Sequence, residues 1–193
     1  GANQVADACD FARYCSALDF WAMTDHAEAL TPTRWLQSIN SVQQCAARSD
    51  PEGPPDVIPF IGFEWTQVGA LPEQHYGHKN VIFETLDIDA IAARPIAAAG
   101  TTVTVLRDNA SDLLPPHIAF LDLENRQNYY DFGRFVAEVR DTPLCDPDVA
   151  SADLPLECYE LAGTPGELIA RLESQGLDPL IIPHGSSWGL YTP

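Results

Sequence analysis

Four residues of metal-binding type stand at the ends of apolar runs that are far apart in the sequence. His26, Glu64 and His184 lie at the C-terminal end of their runs, and His78 opens another. Short apolar runs bounded by turn residues are typical of buried strands. Three imidazoles and a carboxylate form a ligand set that suits Zn, Mn or Fe, whereas Mg and Ca prefer oxygen ligands alone. The sequence therefore predicts a metal site wherever these strand ends meet.

Several neighbouring residues could assist at such a site. Asp25 could bind a metal directly, or accept the second ring N–H of a histidine and fix its tautomer. Lys79 adjoins His78 and could hold a substrate anion, although a solvated lysine is equally consistent with its position. His75 and His117 are weaker candidates. His75 is three residues before His78, a spacing that on a strand gives the opposite face, and His117 follows two prolines.

Each of these residues also has a simpler explanation. A single histidine at a strand end is usually structural, and Glu64 could pair with an arginine at a sheet edge. The chain contains no P-loop and no G-x-G-x-x-G motif, so those enzyme classes have no support. Three hypotheses remain open: a metal-dependent enzyme, a metal- or ligand-binding domain without catalysis, and a site that this chain alone does not assemble.

The elements that must position the four residues alternate between strands and helices. Thr31 and Thr164 are predicted N-caps, each followed by a proline in the first helical turn, and Glu167 can complete a capping box. Such alternation favours a parallel sheet, and in α/β barrels the strand ends converge on one face. Strands are predicted over residues 18–24, 57–65, 78–83 and 179–184, and helices over 5–17, 32–47 and from 165 onward.

The segment from about 88 to 145 follows this alternation least well. It contains an Ala-rich stretch, a β-like run at 101–106 and a helical pattern at 130–139. We interpret it as an insertion between barrel elements.

The local sequences resemble the polymerase-and-histidinol-phosphatase (PHP) superfamily. Residues 18–28 resemble its strand ending in Thr-Asp-His, and residues 60–65 look like its strand ending in Gly-x-Glu. His78 matches the histidine that opens the following strand, and residues 183–185 resemble a later strand end that bears a histidine. More closely, residues 10–16, 75–80 and 182–185 are similar to a bacterial PHP-like family of unknown function.

This resemblance implies an α/β fold, a partial, distorted (βα)7 PHP-like barrel with an insertion, formed by residues 1–193 as a single domain. The superfamily opens with His-x-His and closes with Asp-x-His, and the chain contains neither motif. The chain is therefore expected to be the central piece of a barrel whose remainder comes from flanking sequence.

The resemblance also implies metal-dependent hydrolysis, generally of phosphoesters. Two or three divalent ions (Zn, Mn or Fe) would activate a water molecule and bind the phosphate oxygens. Glu64, whose counterpart often bridges metals, and Lys79 would act in catalysis. The implied metal ligands are Asp25, His26, Glu64, His78 and His184.

The charge balance restricts the partners. Twenty-eight acidic residues against ten basic ones give a formal charge of −18. Such a surface repels phosphate backbones and anionic lipids, so neither nucleic acid nor a membrane is an expected partner. A small anionic substrate fits only where a metal reverses the local charge. No apolar run approaches the roughly 18 residues that a membrane span needs.

Five cysteines, none in a C-x-x-C pair, argue against a structural zinc knuckle. Cys145 and Cys158 bracket a loop rich in Pro and Asp, where a disulfide would contribute about 3 kcal/mol, although buried free thiols are the alternative. The odd count leaves at least one thiol without a partner in the chain. Cysteine content and acidity together favour a periplasmic or secreted protein, with a cytoplasmic one not excluded.

Overall fold

The computed structural model describes residues 5–49, 52–69, 71–108, 122–124 and 126–184. Short helical turns in this part of the chain lie at Phe11–Cys15, Ala27–Ala29, Pro72–Gln74, Ile88–Ala90 and Ser151–Asp153. The strands are β1 (Phe20–His26), β2 (Ile58–Gln67), β3 (Gly77–Ile82), β4 (Ile96–Ala98), β5 (Glu160–Ala162) and β6 (Leu180–His184). The helices are α1 (Val5–Asp10), α2 (Pro32–Ala46), α3 (Thr101–Asp108), α4 (Arg126–Asp141) and α5 (Pro165–Ser174).

The strands form two sheets. The first has the order β1-β2-β3-β6, in which β1 and β2 are parallel while β3 runs antiparallel to both β2 and β6. The second consists of β4 and β5 in parallel. The predicted (βα)7 barrel is therefore wrong: within the described residues the chain is a mixed α/β structure with no closed barrel. The physical reason is the connection from β2 to β3, residues 68–76, because parallel strands need a crossover of a dozen or more residues.

Two predictions inside the segment 88–145 have opposite outcomes. The helix predicted at 130–139 is confirmed as part of α4. The β-like run at 101–106 is instead helix α3, whose Val103 is buried in the core. Threonine and valine favour strands only through a pleated, half-buried surface, and here packing against α4 overrides that preference.

The predicted helix starts are confirmed in α2 and α5. The hydroxyl of Thr31 accepts a hydrogen bond from the Arg34 backbone N–H at 3.2 Å. Thr164 accepts from the Glu167 backbone N–H at 3.2 Å, and the Glu167 carboxylate accepts from the N–H of Gly163 at 2.6 Å. Backbone N–H groups at the start of these helices, which have no partner inside the helix, thus gain side-chain acceptors.

The two faces of the first sheet differ. One face packs against α2 and the second sheet through residues such as Ile61, Phe63 and Trp65, all fully buried. Side chains alternate along a strand, so the intervening residues lie on the other face. That open face carries exposed apolar residues toward one end and the candidate ligands at the other: Phe20, Ile58, Leu180 and Ile182, then His26, Glu64, His78 and His184.

Two disulfides link loops and helices. Cys145 and Cys158 form the predicted loop disulfide, and Cys9 of α1 is joined to Cys45 in the last turn of α2. Cys15 is a free, exposed thiol. None of the helices in the described residues combines the length and the apolar character that crossing a membrane requires.

Candidate metal centre

Strand register brings the four predicted residues together at one end of the open sheet face. His26 of β1 pairs with Glu64 of β2, and Thr66 of β2 pairs with His78 of β3. His78 pairs in turn with His184 of β6. Residues paired across neighbouring strands have Cβ atoms about 4.5–5.5 Å apart, so residues distant in sequence become side-chain neighbours.

Glu64 lies at the centre of this cluster, its side chain only 13% exposed. Its Oε1 atom lies 2.6 Å from Nδ1 of His78 and 3.6 Å from Nδ1 of His26. Its other oxygen, Oε2, lies 3.6 Å from Nε2 of His184. The rings of His78 and His184 stack with centroids 5.2 Å apart. One carboxylate thus contacts three imidazoles through both of its oxygens.

Thr66 belongs to the same cluster, although the sequence interpretation did not include it. Its hydroxyl donates to Oε1 of Glu64 at 3.1 Å and lies 2.9 Å and 3.0 Å from Nδ1 of His26 and His78. A signal was present in the sequence, because Thr66 follows Glu64 by two positions and side chains two apart on a strand share a face. The hydroxyl holds the two imidazoles and the carboxylate in a fixed relation.

Glu28 is a second residue that the sequence interpretation did not single out. It lies in the helical turn after β1 and is only 1% exposed. Its Oε1 accepts hydrogen bonds from the backbone N–H groups of Thr66 (3.1 Å) and Ala98 (2.9 Å). Its Oε2 has no hydrogen-bond partner and lies 3.7 Å from Nδ1 of His26. Glu28 therefore ties the site to both sheets and presents a buried charge to one imidazole.

The electrostatics around His26 favour its charged form. The nearby Glu28 carboxylate is the largest cause, and it raises the pKa of His26 above its ordinary value. The negative charges of Glu64, Glu28 and Asp25 act in the same direction, while burial opposes them. A cation is therefore favoured at this position.

Two other predicted residues lie outside the cluster of ligand atoms. Asp25 is exposed and precedes His26 by one position on β1, so it faces the other side of the strand, although its charge contributes to the raised pKa of His26. Lys79 follows His78 and faces away from it. Its ammonium group donates to the Tyr76 carbonyl and lies 5.5 Å from the centroid of the Trp65 ring, and burial lowers its pKa.

Of the two remaining histidines, only His75 lies in the described part of the chain. His75 is not among the residues whose ligand atoms meet there. His117 lies outside the described residues.

The donor atoms fit a transition-metal ion. Candidate ligand atoms of His26, Glu64 and His78 all lie within 4.8 Å of one another, and His184 is not part of this group of three. Nε2 of His184 is buried without a hydrogen-bond partner, an arrangement that a bound cation would satisfy. Imidazole and carboxylate together suit Zn, Mn or Fe.

No protein-family model, no curated protein and no solved structure matches this chain. The resemblance of its motifs to the PHP superfamily therefore stays a prediction.

Proposed function

We propose that this chain is a metal-dependent hydrolase whose metal is held by His26, Glu64, His78 and His184, and that its substrate is a small phosphoester. The observation that carries the proposal is that imidazoles from three strands lie 2.6–3.6 Å from one carboxylate. A bound Zn, Mn or Fe ion would supply Lewis-acid activation of water and charge neutralisation at phosphate oxygens. The phosphoester part of the proposal is supported by the resemblance of the motifs around these residues.

Glu64, Thr66 and Glu28 would position the metal ligands. Glu64 contacts the three imidazoles, and the Thr66 hydroxyl orients that carboxylate. Glu28 places a buried carboxylate beside His26, an arrangement that in metal sites fixes the ring and raises its basicity. The His26 side chain is 55% exposed, so a substrate can reach this side of the cluster from solvent.

The negative charge around the site leads to a specific expectation about phosphate binding. Glu28, Glu64 and Asp25 all act on the site as negative charges, and the whole chain carries −18. A phosphate group would be repelled from this surface unless a cation reverses the local sign. Phosphate binding to this chain should therefore require added metal.

Metal titration combined with a hydrolysis assay tests the proposal. The metal-free chain is titrated calorimetrically with Zn²⁺, Mn²⁺ and Fe²⁺, and turnover of p-nitrophenyl phosphate and bis(p-nitrophenyl) phosphate is followed with each ion. Glu64→Gln and His184→Ala should each lower metal affinity at least tenfold and abolish metal-stimulated turnover. His75→Gln is the matched control and should retain both.

Two outcomes would contradict the proposal in different ways. Unchanged metal affinity in both Glu64→Gln and His184→Ala, with folding verified by circular dichroism, would remove the metal centre. Stoichiometric metal without turnover of either ester would leave the second hypothesis, a metal-binding domain that does not catalyse.

We also propose an oxidising location, the periplasm or the extracellular space. The support is the pair of disulfides, since such bonds persist in oxidising compartments and are rare in the cytosol. Chain expressed with export to the periplasm should show one reactive thiol by Ellman titration before reduction and five after it. Five reactive thiols in unreduced, exported protein would contradict this.

A further inference from the structure

A cleft of about 540 Å³ lies at the C-terminal ends of β2, β4 and β5. Small-molecule sites commonly have volumes of roughly 300–1,000 Å³, and in α/β structures they favour the carboxyl ends of parallel strands. The residues whose chemistry matters most in its lining are Gln67, Glu73, Tyr76, Thr101, Thr104 and Thr164.

Gln67 is the feature of this cleft that points to a ligand. The residue is only 8% exposed, and its Oε1 atom is buried with no hydrogen-bond partner. Leaving a buried acceptor unsatisfied is unfavourable, so such groups are usually explained by a donor from elsewhere. Gly100 lies against this amide, since a Cβ atom there would come within 2.7 Å of Oε1. The glycine therefore leaves room for the Gln67 side chain at the wall of the cleft.

The rest of the described lining includes several polar side chains but no cationic one. Hydroxyl groups come from Thr101, Thr104 and Thr164, and Tyr76 adds an aromatic side chain. Among the described residues that line the cleft there is no Lys, Arg or His, and Glu73 is acidic. A negatively charged ligand would therefore be opposed here. A neutral ligand with several hydroxyl groups could donate to the Gln67 amide oxygen and exchange hydrogen bonds with the threonines.

Residues of the cleft and of the metal centre both lie at the C-terminal end of β2. Gln67 directly follows Thr66, whose hydroxyl contacts His26 and His78. Glu28 binds the backbone N–H of both Thr66 and Ala98, and Ala98 ends the strand that leads into the cleft at residue 99. The cleft and the cluster therefore lie near the same end of β2 but on opposite faces of the first sheet.

We propose that this cleft binds a neutral, hydroxyl-rich group such as a sugar ring. This site is separate from the proposed metal centre, because the side chains of Gln67 and Glu64 project from opposite faces of the first sheet.

Saturation-transfer difference NMR on the metal-free 193-residue chain tests the proposal without involving the metal. The probes are glucose, galactose, mannose and myo-inositol at millimolar concentrations, and inorganic phosphate measured separately by ³¹P line broadening. At least one neutral probe should bind saturably. Gln67→Leu and Thr104→Val should each weaken that binding, Gln67→Leu by tenfold or more, while Gln127→Leu on the surface of α4 should leave it unchanged.

Three outcomes would overturn this inference: no saturable binding of any neutral probe, equal binding by wild type and both cleft variants, or metal-free phosphate binding that Gln67→Leu abolishes. The third would make the cleft an anion site. Because sugar binding is measured without metal or turnover, its failure leaves the metal titration standing. Loss of the metal proposal would likewise leave a sugar-binding cleft.

Discussion

Replacing Glu28 by alanine should destabilise the chain strongly, because two elements depend on this one buried carboxylate. Its Oε1 accepts from the backbone N–H groups of Thr66 in β2 and Ala98 in β4, and both hydrogen bonds are buried. An unsatisfied buried N–H costs about 1–3 kcal/mol, so the loss of both acceptor contacts should cost about 2–6 kcal/mol. Against a typical unfolding free energy of about 5–15 kcal/mol, this is a large fraction of the total.

Glu28→Gln separates the hydrogen-bonding role from the charge. The glutamine carbonyl oxygen can accept from the same two N–H groups, so this variant should be at least about 2 kcal/mol more stable than Glu28→Ala. Urea unfolding followed by circular dichroism, with a chelator present to remove any metal, measures both variants. Glu173→Ala, an exposed glutamate of α5, is the matched control and should change stability by less than about 0.5 kcal/mol.

The same pair of variants distinguishes folding from metal binding. Glu28→Gln removes the negative charge that lies 3.7 Å from Nδ1 of His26, so it should lower metal affinity about 10–100-fold while the chain stays folded. Equal stability of Glu28→Ala and Glu28→Gln would refute the argument that Glu28 satisfies buried backbone donors. Unchanged metal affinity in Glu28→Gln would show that it does not support His26.

Three further predictions concern the rest of the fold. Glu160→Gln should cost about 3–5 kcal/mol in urea unfolding, because Glu160 is the counter-charge at 3.0 Å from the 1%-exposed Arg94; a cost below about 1 kcal/mol would contradict this. Burial raises the pKa of Tyr159, so the native state keeps a proton that the unfolded chain loses above about pH 10, and stability should fall there as pH rises. Tyr159→Phe should remove that alkaline decline and cost about 1 kcal/mol at neutral pH, for the hydrogen bond to the Glu28 carbonyl; parallel alkaline unfolding curves would refute it. Replacing both Cys145 and Cys158 by alanine should lower the unfolding free energy by about 3 kcal/mol, and an unchanged urea midpoint would show that the closed loop contributes nothing.

The convergence of four distant residues was predictable because each stands at the end of an apolar run. Such runs become strands whose ends lie at a common edge when neighbouring strands are parallel, as β1 and β2 are. His78 reaches the same edge for a different reason: it opens a strand that runs antiparallel to β2. The metal-binding role of the cluster remains a proposal, while its geometry follows from the register.

The sequence already contained evidence against the predicted barrel. The strands predicted at 57–65 and 78–83 are separated by twelve residues at most, including Gly69 and Pro72. A crossover helix with its two loops hardly fits into that length, whereas an antiparallel return does. Gly77 adopts φ +68° where β3 begins, a conformation that favours glycine, so the local turn chemistry agrees with the return.

Strand periodicity also accounts for which neighbours of the four residues joined the cluster. Asp25 and Lys79 are adjacent in sequence to His26 and His78, and because successive side chains on a strand point to opposite faces, adjacency argued against them. Thr66, two positions from Glu64, had the right periodicity but an ordinary strand residue type. Glu28 had no periodic signal, because it follows the strand in a helical turn and its burial depends on β4, which pairs with β5 more than 60 residues further along the chain. A contact of that kind is decided by tertiary packing, and no local pattern around residue 28 specifies it.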